Sequence, residues 1–149
     1  MKVVIQVIHG SKLSVDNALI SQVGSGLLII VGVHRDDTDE DVNFLAKKIT
    51  SLRIFKDENG KLNKNIIDTN GDALVVSNFT LQGELASGTR PNFSKCASHE
   101  EANRLYLLLA DKLHELGVKN VQKGMFAHHM HLDTLIDGPL TMVLDSKKC

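Results

Sequence analysis

The chain has 149 residues, of which 42% are hydrophobic and 23% are charged, and its formal net charge is −1 at pH 7. These values are typical of a soluble globular protein with one domain. They disfavour a protein that binds long nucleic acid through its phosphates, but leave recognition of a small piece open. The cysteines, Cys96 and Cys149, form neither a disulfide framework nor a metal-ligand spacing, which favours a reducing compartment. No apolar run is long enough for a secretory signal or a membrane span.

The first part of the chain predicts strands followed by a helix. Residues 2–8 are predicted to form a strand, residues 12–23 a polar hairpin around the sequence VDN, and the apolar run LLIIVGVH at 27–34 a buried strand. Thr38, followed three residues later by Asp41, resembles a capping box and predicts the start of a helix. The apolar positions of this helix have helical spacing: Val42, Leu45, Ala46, Ile49 and Leu52.

A strand that ends in polar residues follows two predicted turns. The turns are DENG at 57–60 and NGD at 70–72, and the strand is ALVVSN at 73–78. The strand runs into a segment made of Ser77, Asn78, Phe79 and Thr80. Polar side chains and unpaired backbone N–H groups at a strand end often build functional sites. The same side chains also cap local backbone, and the local pattern alone favours that interpretation.

A second helix and two further strands complete the predicted fold. Ser98 and Glu101 form another capping-box pattern, and Gly117 lies where a helix would end. Residues 119–136 and 140–145 are predicted strands. The apolar positions of the helix are Ala102, Leu105, Leu108, Leu109 and Leu113. This order of elements predicts an α+β domain with a mixed, mainly antiparallel sheet.

The segment FAHHMHLD at 126–133 contains three histidines. On the predicted strand, His129 and His131 share one face, and His128 points to the other. No Cys or Glu lies at ligand spacing beside them, so partly exposed strand histidines are favoured over a zinc site. The sequence also has no nucleophile elbow, no glycine-rich phosphate loop and no two-Cys zinc pair.

A Gly-Pro pair, Gly138 and Pro139, separates two apolar strand segments near the end of the chain. Proline has no N–H to donate to a sheet, so it belongs at an edge, at a bulge or at the first residue of a strand. Taken alone, the sequence DGPLT therefore predicts a turn followed by the start of a strand.

Taken together and in this order, these segments resemble the D-aminoacyl-tRNA deacylase family. The family sequence SQFTLxA appears here as SNFTLQG at 77–83, and NDGPVT appears as IDGPLT at 136–141. The resemblance extends over nearly the whole chain, through MKVVIQ, GLLIIVGV, LRIFKDENGKLN, RPNFSKCAS and GPLTMVLDS. Either motif alone is weak, but the combination across one domain is specific.

The resemblance implies a cytoplasmic homodimer with a barrel-like sheet, two main helices and one domain spanning residues 1–149. It implies hydrolysis of the ester between a D-amino acid and the terminal ribose of tRNA, with no metal and no cofactor, and removal of mischarged glycine from some tRNAs. The Gly-Pro pair, joined by a cis peptide bond, would enter the site of the other subunit as a wedge. The implied catalytic residues are Ser77, Asn78 and Thr80. The implied substrate-binding residues are Phe79, Leu81, Phe126, Met130, Gly138 and Pro139.

Three single positions and one short segment depart from the family pattern. Val7 stands where the family usually has an arginine that braces the wedge, Asn78 replaces Gln, Ile136 replaces Asn, and FAHHM at 126–130 replaces FGAxM or FAADM. Two hypotheses therefore stay open: an editing hydrolase, or a catalytically weakened paralogue that acts as a dimeric binding module. The changes at Val7, Asn78 and Ile136 favour the binding module. The retained motif residues favour the enzyme: Ser77, Phe79, Thr80, Gly138, Pro139 and Thr141.

Overall fold

The computed structural model describes residues 1–86 and 88–148, so that Cys149 lies outside the described residues. The predicted α+β fold, with two main helices and a mixed, mainly antiparallel, barrel-like sheet, is confirmed. The elements in chain order are β1 (Lys2–Val15), β2 (Ala18–Val23), β3 (Gly26–Gly32), α1 (Asp39–Ser51), β4 (Phe55–Lys56), β5 (Leu62–Lys64), β6 (Asp72–Ser77), a 3-10 turn (Phe79–Gln82), α2 (His99–Glu115), β7 (Val121–Lys123) and β8 (His131–Asp145).

The long strand β1 organises the sheet. One of its edges pairs antiparallel with β3 over residues 2–8 and then with β2 over residues 11–15. Its other edge pairs antiparallel with β8 along nearly the whole length of both strands. β1 therefore positions three of the strands directly.

The side chains of β1 serve two separate cores. Up to Val7, its buried side chains belong to the core that also contains the buried faces of α1 and α2. From Ile8 onward they belong to a second cluster, with Leu13 and Val15. Neighbouring strand residues normally point to opposite faces, but Val7 and Ile8 are both buried. The alternation of buried and exposed side chains therefore shifts by one residue after Val7, which we call a change of phase. The ladder between β1 and β8 is irregular at this point.

The sheet curls until it is nearly closed. The strands follow the order β2–β1–β3–β6–β7, in which β3, β6 and β7 are parallel neighbours. Parallel neighbours need crossover connections, and α1 and α2 lie within these two connections and pack against each other. The Ser21 hydroxyl of β2 donates a hydrogen bond to the Lys123 carbonyl of β7 at 2.6 Å, which joins the far ends of the sheet.

Both helices begin and end close to the predicted positions. The Thr38 N–H donates to the Asp41 carboxylate at 2.9 Å, so the capping box at the start of α1 is present. At the start of α2 the Ser98 hydroxyl accepts from the Glu101 N–H at 3.3 Å. The Glu101 carboxylate binds Arg104. After α2, Gly117 adopts a φ of 109°, which glycine tolerates more readily than any other residue.

The turn of the predicted hairpin at 12–23 is confirmed at Asp16 and Asn17, which both have positive φ. The extent of the arms is different, because β1 continues unbroken into this hairpin as far as Val15. The predicted strand at 27–34 is also shorter than expected, since β3 ends at Gly32.

The prediction of one strand over 119–136 is wrong for residues 124–130. The chain leaves the sheet after β7, where the Tyr106 hydroxyl lies 3.1 Å from the Gly124 carbonyl. Ala127 then adopts a φ of 60°, in the left-handed region, which a strand cannot accommodate. The apolar pattern of this stretch reflects packing of a loop against the core, which periodicity alone does not distinguish from a strand.

The predicted positions of the histidines change accordingly. His128 and His129 lie in the loop, and His131 is the first residue of β8. The assignment of His129 and His131 to one strand face is therefore wrong. Their rings are nevertheless in contact, edge to face, with centroids 4.9 Å apart.

The Asp41 carboxylate connects the start of α1 to the segment after β8. It accepts a hydrogen bond from the Lys147 ammonium at 2.7 Å. Burial by itself raises the pKa of Asp41, but hydrogen bonds from Lys147, Ser146 and the Thr38 N–H outweigh burial and hold this pKa well below its usual range. A carboxyl whose pKa is lowered by folding stabilises the protein above its unfolded pKa, and this contribution is lost as the pH falls through the folded pKa.

We expect Asp41→Asn to lower the free energy of unfolding at pH 7 by about 1–3 kcal/mol, because it removes charge-assisted hydrogen bonds. The difference from wild type should shrink below about pH 4, where an unfolded aspartate becomes protonated. Urea denaturation at pH 7 and at about pH 3 measures both values. Asp39→Asn, which removes an exposed partner of Arg104, is the control and should have a smaller effect. An equal difference at both pH values would contradict the role of the charge.

Candidate active site

A cleft of about 770 Å³ lies between the end of β6 and the loop at 124–130. Five of the predicted site residues line it: Ser77, Asn78, Phe79, Phe126 and Met130. Among the described residues, no Lys, Arg, Asp or Glu contributes to its lining. A mainly apolar cleft with a few polar groups is typical of a small-molecule site.

The turn after β6 is organised by the Asn78 side chain. The Asn78 N–H donates to the Val31 carbonyl at 2.7 Å, which continues the pairing between β6 and β3. The Asn78 side-chain oxygen then accepts from the Thr80 N–H at 3.1 Å and from the Thr80 hydroxyl at 2.5 Å. Because the oxygen is occupied by two donors, the amide nitrogen of Asn78 is the group left for a ligand.

The far end of this turn is fixed to β3 by Gln82, a residue that the sequence interpretation missed. Its buried side chain donates to the Gly32 carbonyl at 2.6 Å. The Leu81 side chain packs on the same place, since a Cβ on Gly32 would lie 2.7 Å from the Leu81 Cβ. The sequence shows only a glutamine directly after the FTL segment, and its burial and its carbonyl partner appear only in the fold.

Phe79 presents its ring to the cleft. It is 56% exposed, and it packs edge to face on Phe93 with ring centroids 5.1 Å apart. Phe93 in turn covers Gly83, where an added Cβ would lie 2.9 Å from the Phe93 ring. The Phe79 ring is therefore supported from one side and accessible from the other.

Cys96 lies in the cleft, but its chemistry does not suit a nucleophile. Its thiol contacts the Phe79 carbonyl at 3.5 Å. Burial raises the pKa of the Cys96 thiol. Because the thiolate is the reactive form, a raised pKa keeps this side chain unreactive near neutral pH.

The opposite wall of the cleft rests on a cluster of three rings, of which Tyr106 is buried, Phe126 is half-buried and His99 is exposed. The Phe126 ring packs edge to face on His99, with centroids 4.8 Å apart, and it also lies against Tyr106. The Tyr106 hydroxyl contacts the carbonyls of Val75 and Gly124 at 3.0 and 3.1 Å. Burial raises the pKa of Tyr106 to about 12, so its hydroxyl stays protonated and holds the loop to β6.

Three histidines reach this cleft: His99, His128 and His129. The Nδ1 atom of His128 lies 2.8 Å from the Phe126 carbonyl. A carbonyl only accepts, so Nδ1 carries the proton and Nε2 of the neutral ring is an acceptor. Within residues 1–86 and 88–148, no three His, Cys, Asp or Glu side chains are grouped so as to hold a metal ion.

The remaining four predicted site residues do not line the cleft. Thr80 and Leu81 belong to the turn beside it, and Gly138 and Pro139 lie on β8. The Gly138–Pro139 peptide bond is cis, and β8 runs through this pair without ending. The predicted turn at this point is instead a bulge within one strand.

The bulge is a departure of β8 from β1. Thr141 pairs with Gln6, and Ile136 pairs with Ile8, so the four residues 137–140 stand opposite Val7 alone. Gly138 has a φ of 127°, and a Cβ added there would lie 2.3 Å from the Leu140 nitrogen. Only glycine fits this position without a shift of the backbone.

We expect Gln82→Leu to lower the free energy of unfolding by about 1–3 kcal/mol, because it leaves the Gly32 carbonyl buried without its donor. Urea denaturation monitored by circular dichroism measures this loss. The control is Gln22→Leu, which replaces an exposed glutamine on β2 and should change stability by less than about 0.5 kcal/mol. Equal stability of Gln82→Leu and wild type would show that Gln82 does not fix the turn.

Comparison with known proteins identifies relatives over nearly the full length of the chain. The model of the family described as D-Tyr-tRNA(Tyr) deacylase matches residues 4–145. Proteins called D-aminoacyl-tRNA deacylase from Clostridioides difficile and Caldicellulosiruptor saccharolyticus are 45% and 44% identical to this chain over 148 residues, which is 99% of each chain. A solved structure described as c-Myc DNA Unwinding Element Binding Protein superposes with a TM-score of 0.92 at 31% identity, over 97% of this chain and 98% of its own.

Proposed function

Because this chain belongs to the D-Tyr-tRNA(Tyr) deacylase family, we propose that it hydrolyses the ester bond between a D-amino acid and the terminal ribose of tRNA. The products are the free D-amino acid and a tRNA that can be charged again. The observation that carries this proposal is the cleft at the end of β6, in which the polar end of a strand faces an apolar wall and whose described lining contains no Lys, Arg, Asp or Glu.

Two hydrogen-bond donors at the strand end suit the chemistry of ester hydrolysis. Attack of water on the ester carbonyl places negative charge on the carbonyl oxygen, and donors fixed in advance stabilise that charge. The Asn78 amide nitrogen is one such donor, since the Asn78 oxygen is occupied by Thr80. The Phe79 N–H, which has no acceptor within the described part of the chain, is the other.

Thr80 acts by positioning Asn78. Its hydroxyl donates to the Asn78 oxygen at 2.5 Å, and a hydroxyl engaged in this way without a neighbouring base is a poor nucleophile. Water is therefore the attacking group. Its oxygen adds to the ester carbon, and the tetrahedral intermediate collapses as the bond to the ribose oxygen breaks. One proton of the attacking water passes to that oxygen, which leaves as a free hydroxyl.

The rest of the cleft suits the end of tRNA. The exposed face of Phe79 offers a stacking surface for the terminal adenine, as aromatic side chains commonly do for splayed bases. Phe126 and Met130 supply apolar surface on the opposite wall. We propose that the cleft binds the terminal nucleotide and its amino acid, so that binding does not require a net positive charge on the chain, whose net charge is −1.

Selection of the D-enantiomer comes from a second copy of the chain. The bulge at 137–140 does not reach the cleft of its own subunit, and the outer edge of β8 has no strand partner in the described part of the chain. On β8, Leu135 and Val143 are 65% and 68% exposed, which favours burial against another subunit. In a homodimer the Gly138–Pro139 backbone of one copy enters the cleft of the other and occupies the space that an L side chain needs.

The location of the protein follows from its substrate. Aminoacyl-tRNA is used in the cytoplasm, and we place the protein there. Separately, no helix in the described ranges is long and apolar enough to cross a membrane.

The experiment that tests this function compares D-Tyr-tRNA, L-Tyr-tRNA and Gly-tRNA as substrates of the purified protein. We expect rapid loss of the ester from D-Tyr-tRNA and slow loss from L-Tyr-tRNA. Asn78→Asp keeps the oxygen that binds Thr80 but replaces the amide donor with a negative oxygen. It should lower kcat/KM for D-Tyr-tRNA by about a hundredfold to a thousandfold.

Thr80→Ala is the matched variant of the same turn. It removes one hydrogen bond to Asn78, and we expect a loss of about tenfold to a hundredfold, because backbone positioning remains. A covalent aminoacyl adduct on Thr80 in mass spectra would contradict attack by water. Absence of hydrolysis of every substrate by the wild type would favour the binding-module hypothesis.

We expect light scattering at micromolar concentration to give the mass of two chains. Val143→Asp places a charge on the exposed face of β8 and should shift the protein toward the monomer, because burial of an unpaired charge is costly. The control is Leu62→Asp, which changes another exposed apolar side chain on β5 and should leave the dimer intact. A monomeric wild type would contradict the shared site.

A further inference from the structure

The bulge that carries Gly138 and Pro139 has a counterpart on the facing strand. Ile8 pairs with Ile136 and Gly10 pairs with Leu135, so His9 has no partner residue on β8. An unpaired residue of this kind often redirects a side chain, and such irregularities are common beside active sites. The extra residue of β1 therefore lies next to the extra residues of β8.

The His9 side chain contacts the first residue of the bulge. Its Nε2 atom lies 3.4 Å from the Asp137 carboxylate, and the two side chains are 56% and 41% exposed. Asp137 directly precedes Gly138. At the other end of the bulge the Gln6 side-chain nitrogen lies 3.5 Å from the Thr141 hydroxyl.

The residue directly opposite the bulge offers no such support. The Val7 side chain is 6% exposed and belongs to the core, and it has no group that hydrogen-bonds. The four residues 137–140 also lack the regular ladder that holds the rest of β8 to β1. Among the described residues, the contact between His9 and Asp137 is therefore the side-chain polar contact that connects residues 137–140 to β1.

We propose that His9 is a positioning residue for chiral selection, which holds Asp137 and thereby sets the place of the Gly138–Pro139 backbone. The inference rests on the proposed role of that backbone as the wedge between subunits. An exposed pair of this kind contributes little to overall stability. The pair instead sets the position of the bulge, and this position sets how well an L side chain is excluded.

This role predicts a specific change in the two substrate rates. In His9→Ala the bulge is released, space opens beside the substrate, and hydrolysis of L-Tyr-tRNA rises while hydrolysis of D-Tyr-tRNA stays near the wild-type value. The D/L ratio of kcat/KM should fall by about twofold to fivefold, the range expected from one exposed pair. A general structural defect would lower both rates, so a rise in the L rate separates positioning from loss of fold.

Three further variants complete the experiment. His9→Gln places an amide nitrogen near the position of Nε2 and should restore most of the D/L ratio. In a double-mutant cycle, His9→Ala combined with Asp137→Ala should lower the ratio no further than either change alone, because coupled residues are not additive. Lys12→Ala, an exposed change on the same strand, should leave the ratio at the wild-type value.

Gly138→Ala is the reference for a displaced wedge and should lower the ratio more than His9→Ala. An unchanged ratio in His9→Ala, beside a lowered ratio in Gly138→Ala, would overturn the role of His9 and leave the wedge intact. Additive effects of the His9 and Asp137 changes would also overturn it. An unchanged ratio in Gly138→Ala would overturn the wedge and this inference with it, and a wild type that hydrolyses neither ester would overturn the proposed function.

Discussion

The change of phase of β1 after Val7 is the constraint on which the rest of the molecule depends. Before it, β1 contributes to the core under the helices, and after it to the second cluster around Leu13. A strand that serves two cores cannot keep one regular ladder with a partner of similar length, so β8 must depart from it somewhere. It departs at residues 137–140, and this departure presents a glycine and a proline at the surface. The change of phase in β1 and the departure of β8 therefore allow the sheet to curl, and they expose the backbone that we propose as the wedge.

In the proposed site, ionisable side chains contribute little to the chemistry. Asn78 and Phe79 supply hydrogen-bond donors, and Thr80 and Gln82 hold the turn that carries them. Cys96 is the side chain of the cleft that most resembles a nucleophile, and burial keeps its thiol neutral. For an ester that is already reactive, placement of the carbonyl and of water supplies much of the required rate enhancement. This explains why a search for nucleophiles and bases in the sequence finds so little.

The helices and the buried strands could be predicted from the sequence because their signals are local. Thr38 and Asp41 lie three residues apart, and Gly117 directly follows a helical apolar pattern. The loop at 124–130 could not be predicted, because the Tyr106 hydroxyl that holds it comes from a distant helix. An apolar segment packed against a core has the same composition whether it is a strand or a loop.

The site shows the same division between local and distant information. Asn78, Phe79, Phe126 and Met130 were predicted through the family resemblance, and the fold brings them to one cleft. Gln82 was missed because its partner, the Gly32 carbonyl, lies fifty positions earlier in the chain. His9 was missed because its importance depends on a strand register, and the register of two strands separated by more than a hundred residues leaves no trace in local sequence.

Within the described residues, no permanently charged side chain lines the cleft. This composition bears on which amino acids the proposed site would accept. A lining with lysines or carboxylates would attract some amino acids and repel others through long-range electrostatic forces. A lining without Lys, Arg, Asp or Glu exerts no such force, so in the proposed site acidic, basic and aromatic D-residues would meet a similar electrostatic environment. For the function that we propose, such a lining would let one site accept D-amino acids of different charge.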